Sequence, residues 1–390
     1  MLLPLLLLLF CAACAAAVAY GPDPNWAQYS HGLQLILFSR RFEWPLVAIT
    51  LICCIFIIAL VIAAKRRAWW LIGLAPILAV LGHRFAMNPG NAFLVNADPA
   101  FISADRASFL NGDDWVVGMI DGSDALAFPF SSLYSQPLVV RELQTRPMLL
   151  MWSPFANCAS AYTIDRSIQT NEIEIVSMPA NALLVYNSRD GQFINGITGL
   201  MPDGRAPSGF GSKIPTIKTT WSQWVSVHPD TLVLSPPTAG GESPTRAVLP
   251  YFPMPGGSTD PETEATVALI GNPPVAAVLD SDLISGPVNF SDPDIMIVRD
   301  PRTDAIQVFD RHVDEDLVPV FSHRTFRKFP DAMMIDSDSR SAWTADGRAL
   351  DGPLKGKRLK RFDVEDSVYW SVARYWFQNL PLMHPVADVQ

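Results

Sequence analysis

Residues 45 to 64 carry no charged side chain, follow Trp44 and run into Lys65-Arg66-Arg67. Lipid offers no partners to open backbone groups, so a stretch of this length crosses a hydrocarbon core of about 30 Å as a helix. Residues 1 to 20 form a second uncharged apolar stretch. Its Ala17-Val18-Ala19 resembles a signal-peptidase site, yet it has no basic start and its apolar run exceeds a usual leader core; cleaved leader and retained helix both stand open, and the retained helix is carried forward. A third stretch, 68 to 82, is shorter and holds Pro76, which suits a short tilted span or a re-entrant helix. Between the first two, His31 to Phe38 is apolar enough to rest at the interface, with Arg40-Arg41 at headgroup level. Basic residues flanking spans stay in the cytoplasm. Three crossings with Lys65-Arg66-Arg67 inside put everything after His83-Arg84 outside it, so the expected location is the inner membrane with a periplasmic soluble part.

Composition agrees, with 49% hydrophobic residues against 17% charged. The net charge of −9 divides into +3 on residues 1 to 100 and −12 on the rest. An acidic remainder repels phosphate backbones, so nucleic acid is excluded as a partner; the lipid bilayer and a membrane protein are the expected ones. Cys11, Cys14, Cys53 and Cys54 fall in apolar spans, where cysteine behaves as a small hydrophobe, and Cys158 alone belongs to the soluble part, which therefore has no internal disulfide.

From Asn88 onward apolar runs shorten and turn residues multiply. WVVGMI (115 to 120), MLLMW (148 to 152), TVALI (266 to 270) and DIMIV (294 to 298) read as short strands, mostly antiparallel. The Pro/Gly-rich stretch 235 to 262 reads as a connection between two lobes, 88 to 234 and 263 to 390, behind a membrane region 1 to 87. The lobes resemble each other in order: Val117 to Leu133 aligns without a gap on Val267 to Leu283, PMLLMWSP (147 to 154) answers DIMIVRDP (294 to 301), and both reach Asp-Gly-Arg-Ala, at Asp203 and Asp346. A unit of roughly 110 to 120 residues is expected to be duplicated, giving two β-rich (α+β) lobes across a pseudo-twofold. Each ends in a helix: Thr219-Thr220 caps one bearing Trp221, Trp224 and His228, and Asp366-Ser367 precedes the other, expected over 368 to 377.

The runs VVGMIDGSDALAFPFSSL, SPFANCASAY and TTWSQWVSVHPDTLVL resemble domain-of-unknown-function family 3179 over roughly residues 90 to 376. The resemblance implies architecture more than chemistry. Typical members carry a His and a Cys-Pro-x-Cys pair suited to a soft metal or thiol chemistry, and this chain places Gln136, Ser153 and Ala156 at those positions. An amide, a hydroxyl and a methyl cannot replace imidazole and thiolates as a zinc or copper site. Cys158 lies two residues beyond as a remnant thiol, while Pro154, Trp221, Trp224 and His228 are retained. No metal and no cofactor is expected.

Phosphate loops, nucleophile elbows and His-Glu-x-x-His are absent from the sequence. Asp113-Asp114 and Asp280 with Asp282 read as solvated turns. Lys355, Lys357, Arg358, Lys360 and Arg361 form a basic cluster that could meet an anion or a lipid headgroup. The chain is thus expected to be a membrane-anchored, non-catalytic binding or assembly subunit. The alternative is a metal- or thiol-dependent enzyme with a site rebuilt from Cys158, His228, His312 and His323.

Overall fold

The computed structural model describes residues 2–63, 72–86, 95–236, 243–254, 265–283, 286–314 and 317–385. Apolar helices come first, then a β-rich region of several mostly antiparallel sheets.

Helix α1 (Leu2–Tyr20) packs on α3 (Glu43–Ala63) and α4 (Leu74–Ala86) through Cys11, Ala15, Val18, Cys54, Ile57 and Ile77. Both α1 and α3 are long and apolar enough to cross a membrane, and a signal sequence passes the same test near an N-terminus. Their outer faces expose Leu9, Ile55 and Ile62, the last at 71%. Water would oppose such surface and lipid would not. Leu74 to Gly82 of the third apolar stretch lies in α4, which continues to Ala86: Pro76 falls in its first turn, where it breaks no hydrogen bond, and Arg84 finds a buried partner. Residues 64–71, with the Lys65-Arg66-Arg67 group, lie outside the described residues. The interfacial segment is a helix, α2 (Gly32–Arg41), whose Ile36 is buried against Val176, Leu184 and Phe193 of the β region.

Two sheets share one strand order. In the first, Trp115–Asp121 and Asp124–Pro129 form an antiparallel hairpin; Thr216–Thr220 joins its first strand antiparallel and Leu232–Leu234 its second in parallel. In the other, Thr266–Ile270 and Ala276–Leu279 form the hairpin, Val364–Tyr369 joins antiparallel and Leu382–Met383 parallel. Each outer strand runs straight into a short helix, Trp221–Val227 or Trp370–Trp376. Thr220 caps the former in a capping box with Gln223. The latter begins at Trp370 rather than 368, because Val364–Tyr369 is taken up by the ladder to Thr266–Ile270.

A second pair of sheets also corresponds: Leu138–Glu142, Pro147–Ser153, Cys158–Ile164 and Phe210–Ile214 in one, Val288–Ser291, Asp294–Arg299, Ile306–Asp310 and Arg361–Phe362 in the other. Both Asp-Gly-Arg sequences make the same tight turn, Met201 N–H donating to Arg205 O and Thr344 N–H to Arg348 O, with Gly204 and Gly347 at positive φ. Between the halves, residues 243–254 lie against the first one: Trp115 N–H donates to Thr245 O, and the Asn181 amide oxygen accepts from Tyr251 and Phe252 N–H. Aromatic and aliphatic side chains fill the first core, with Phe130 and Trp152 rings 4.8 Å apart. A further cluster joins the halves, Ala156, Cys158, Ala182 and Ile197 meeting Val267, Leu269, Val368 and Trp370.

Candidate functional site

The positions where the family resemblance places a His and two Cys come together at one end of the Leu138–Glu142, Pro147–Ser153 and Cys158–Ile164 sheet. Leu138 pairs with Met151, Trp152 N–H donates to Pro137 O, and Ser153 pairs with Cys158. Pro154 opens the tight connection between the last two strands, which closes at Asn157 with φ of 50°. This end of the sheet is filled. Ser153, Ala156 and Cys158 are fully buried. Leu183 N–H donates to Ser153 Oγ at 3.0 Å, Ser160 Oγ–H donates to Gly196 O at 2.8 Å, and the half-buried Gln136 accepts from the Asn96 amide at 2.7 Å. The polar groups that would meet a ligand are thus spent inside the chain, Ser153 on backbone and Gln136 on the Asn96 side chain.

Against this corner the second half places two acids and the first half two lysines. Glu365 accepts from Ala159 N–H at 3.0 Å and from Lys213 Nζ at 2.9 Å. Lys218 lies 3.4 Å from the Asp366 carboxylate and also donates to the backbone oxygens of Asn157 and Asp366. The Asn157 amide donates to Ser367 O at 2.7 Å. Buried ions persist only when paired in this way. Burial, with Glu365 and Asp280 nearby, pushes the Asp366 carboxyl up to about 6 against the pull of Lys218. Burial, and Glu365 next, drive the Cys158 thiol well above its ordinary range despite both lysines, so at neutral pH it is a protonated thiol and a poor nucleophile. Lys213 is opposed by burial, but Glu365 holds its ammonium above the usual value. None of these four ions stands out in the sequence.

The retained aromatic positions support the helix. Trp224 is fully buried, its indole N–H on Thr231 Oγ1 at 3.0 Å, and Trp221 packs on Val116 and Ala107. His228 ends the helix with its ring 4.3 Å from that of Trp224, and burial keeps its imidazole below the usual value, hence neutral at pH 7. The matching helix end in the second half is Phe377. His312 lies in the second half beside Asp310 and Asp294, and His323 is exposed on another strand. Among the described residues no group of three or more His, Cys, Asp or Glu is placed to hold a metal. The cluster Lys355, Lys357, Arg358, Lys360 and Arg361 is exposed, with Lys357 on Asp314 at 2.6 Å. Asp113 is exposed and pairs with Arg246, but Asp114 is buried and accepts from Asn111 N–H, while Asp280, which accepts from Thr266 Oγ1 at 2.7 Å, and Asp282 are partly buried, so only Asp113 is the solvated turn carboxylate expected from sequence.

Two further features escape sequence reasoning. An ionic chain ties the apolar helices to the β region: Arg84 contacts Glu43 at 3.4 Å, Glu43 holds Arg40, and Arg40 reaches Glu174 while its guanidinium lies 4.9 Å over the Tyr186 ring. Clefts also flank α2. One of about 750 Å³ lies between the start of α2 and helix Trp370–Trp376, and another of about 580 Å³ continues along α2 past Phe38 and Phe42.

A family model described as Protein of unknown function (DUF3179) matches residues 96–379, most of the chain. No curated protein and no solved structure matches it.

Proposed function

We propose, from the premise that this chain belongs to the DUF3179 family of proteins of unknown function, that it is a membrane-anchored, non-catalytic binding or assembly subunit with its β-rich part outside the cytoplasm. One observation carries the non-catalytic reading: the corner that resembles a metal or thiol site is buried, hydrogen-bonded to its own backbone and covered by Glu365, and its one thiol is held protonated.

Anchoring is supported by the lipid-suited faces of α1 and α3 and by the Arg84–Glu43–Arg40–Glu174 chain at one end of the helices. In the sequence Lys65-Arg66-Arg67 follows the end of α3 that is remote from Glu43, and that asymmetry favours a cytoplasmic connection and an external β region. Packing of Cys11 and Val18 into the helix bundle favours a retained α1.

Duplication is supported by the two shared strand orders, and by Lys218 and Asp366 sitting on corresponding strands where the halves meet. Boundaries at 88 to 234, 235 to 262 and 263 to 390 follow on this reading, with residues 243–254 of the middle segment lying on the first lobe.

Two experiments test it. A reporter fused after residue 385 should be active only as an extracytoplasmic enzyme, and activity as a cytoplasmic one would overturn the orientation. Mild detergent extraction should yield the chain in one stable complex with a second membrane protein; a monomer under the same treatment would overturn the assembly role.

A further inference from the structure

We propose that residues 249–254 of the middle segment form a second membrane contact, with the Leu249 and Tyr251 side chains seated at the headgroup level of the bilayer beside the exit of α1. This rests on the membrane-anchored reading and deepens it.

The first argument is chemistry. Ala247 to Thr259 holds no charged side chain. Among the described residues no large apolar side chain is more exposed than Tyr251, at 75%, not even Ile62 on the outer face of α3, and Leu249 is 51% exposed. Water opposes such a display, whereas the headgroup layer suits a tyrosine, apolar in its ring and wet at its hydroxyl. The second is backbone. A segment entering lipid must leave few N–H and C=O groups open. Pro250 and Pro253 have no N–H to satisfy, and buried Asn181 serves the two residues between them. Its amide oxygen accepts from Tyr251 and Phe252 N–H, both at 2.7 Å, and its Nδ2 donates to Phe252 O at 3.0 Å. The turn is thus held from beneath, Phe252 lying edge-on to Phe155 with ring centres 5.7 Å apart, while Leu249 and Tyr251 stay open.

Place is the third, and it names the occupant. Asn181 closes the turn Pro179–Asn181, which packs on Pro24–Gln28 just past α1. Four residues earlier, no more than about 14 Å of chain away, Ser177 Oγ–H donates to Pro22 O at 2.7 Å. Pro22 follows the end of α1 at Tyr20 by two residues. The Trp26 indole N–H donates to Tyr20 O at 2.6 Å, and Trp26 and Tyr29 are exposed, so Tyr251 joins aromatic side chains that already stand where α1 leaves the bilayer. With no cation in the turn, the contact is apolar and indifferent to the charge of the lipid.

The test uses the full chain in phosphatidylcholine nanodiscs, with an NBD fluorophore on one introduced cysteine. The background is Cys53→Ala, because the other four native cysteines are buried, and the signal of the labelled background is subtracted. Probes in Tyr251→Cys and Leu249→Cys should each lose emission about twofold when the lipid is exchanged for brominated phosphatidylcholine, and should be shielded from iodide in the water. Leu249→Cys keeps the Asn181 bonds and the Tyr251 ring, so it reads the contact even where Tyr251→Cys loosens the turn. Val320→Cys sits at another exposed apolar position, whose N–H bonds to Ser337 in the second half, and its probe should be quenched by iodide alone. Iodide quenching without bromolipid quenching at 249 and 251 would overturn the contact. Shielding from both quenchers would mean that protein covers the turn and would overturn the lipid assignment. Bromolipid quenching as strong at 320 would mean general adsorption, and quenching that requires added phosphatidylglycerol would mean an ionic contact; either overturns the proposal. An Ile62→Cys probe on the outer face of α3 separates the two levels: bromolipid quenching at 62 with none at 249 and 251 sinks this proposal alone, and none at 62 sinks the anchored reading beneath it.

Discussion

Asp366→Asn should change how stability depends on pH. In the native protein the Asp366 carboxyl is 8% exposed and is pushed from 3.8 up to about 6, chiefly by burial. The folded state therefore binds its proton more tightly than the unfolded chain. Between about pH 4 and 6 the folded form carries more protons, so this group's contribution favours folding as pH falls through 6 and is complete below the unfolded value. A shift of about two units corresponds to about 3 kcal/mol, present in acid and absent at pH 7. Asparagine has the same shape and no titration. Urea midpoints of the full chain in maltoside micelles, followed by tryptophan fluorescence at pH 4.5, 5.5, 6.5 and 7.5, should show wild type gaining on Asp366→Asn by about 2 kcal/mol as pH falls over that range. Parallel profiles across that range would refute the argument, since they would mean that Asp366 titrates like a solvated carboxyl.

Other outcomes follow from the same packing. Glu43→Ala takes from buried Arg84 its carboxylate partner and from Arg40 one of two, and should cost about 3 to 5 kcal/mol; a melting midpoint in micelles within error of wild type would refute the ionic chain. Cys158 should resist maleimide at pH 7.5 in the folded chain and react after unfolding in urea, mapped by peptide mass; labelling of the folded protein would show an open site. Gly118→Ala places a methyl inside the volume of the Trp224 ring and should destabilise by about 1 to 3 kcal/mol in urea, and a neutral effect would mean that the helix moves freely.

The apolar helices were legible because lipid exposure demands an unbroken run of one residue class. Their ends were less so: Pro76 read as an interruption but stands in the first turn of α4, and Arg84 read as a flank but lies inside, against Glu43. Strand runs such as WVVGMI and TVALI were visible through β-branched and apolar residues. The pairing of Thr216–Thr220 with Trp115–Asp121 was not, since ladder partners a hundred residues apart leave no local mark. The same limit hid the ionic core. Lys213, Lys218, Glu365 and Asp366 look like ordinary surface charges until the halves meet, although Lys218 did stand among threonines in a strand that leads into a buried tryptophan. The corner of Gln136, Ser153 and Ala156 was found only through the resemblance.

Glu365 satisfies the backbone of Ala159, and Ser367 receives the amide of Asn157, from more than two hundred positions down the chain. Neither half can therefore be cut away without laying bare raw charge in the other, and a truncation made to simplify the molecule would remove the stopper that keeps the remainder dry.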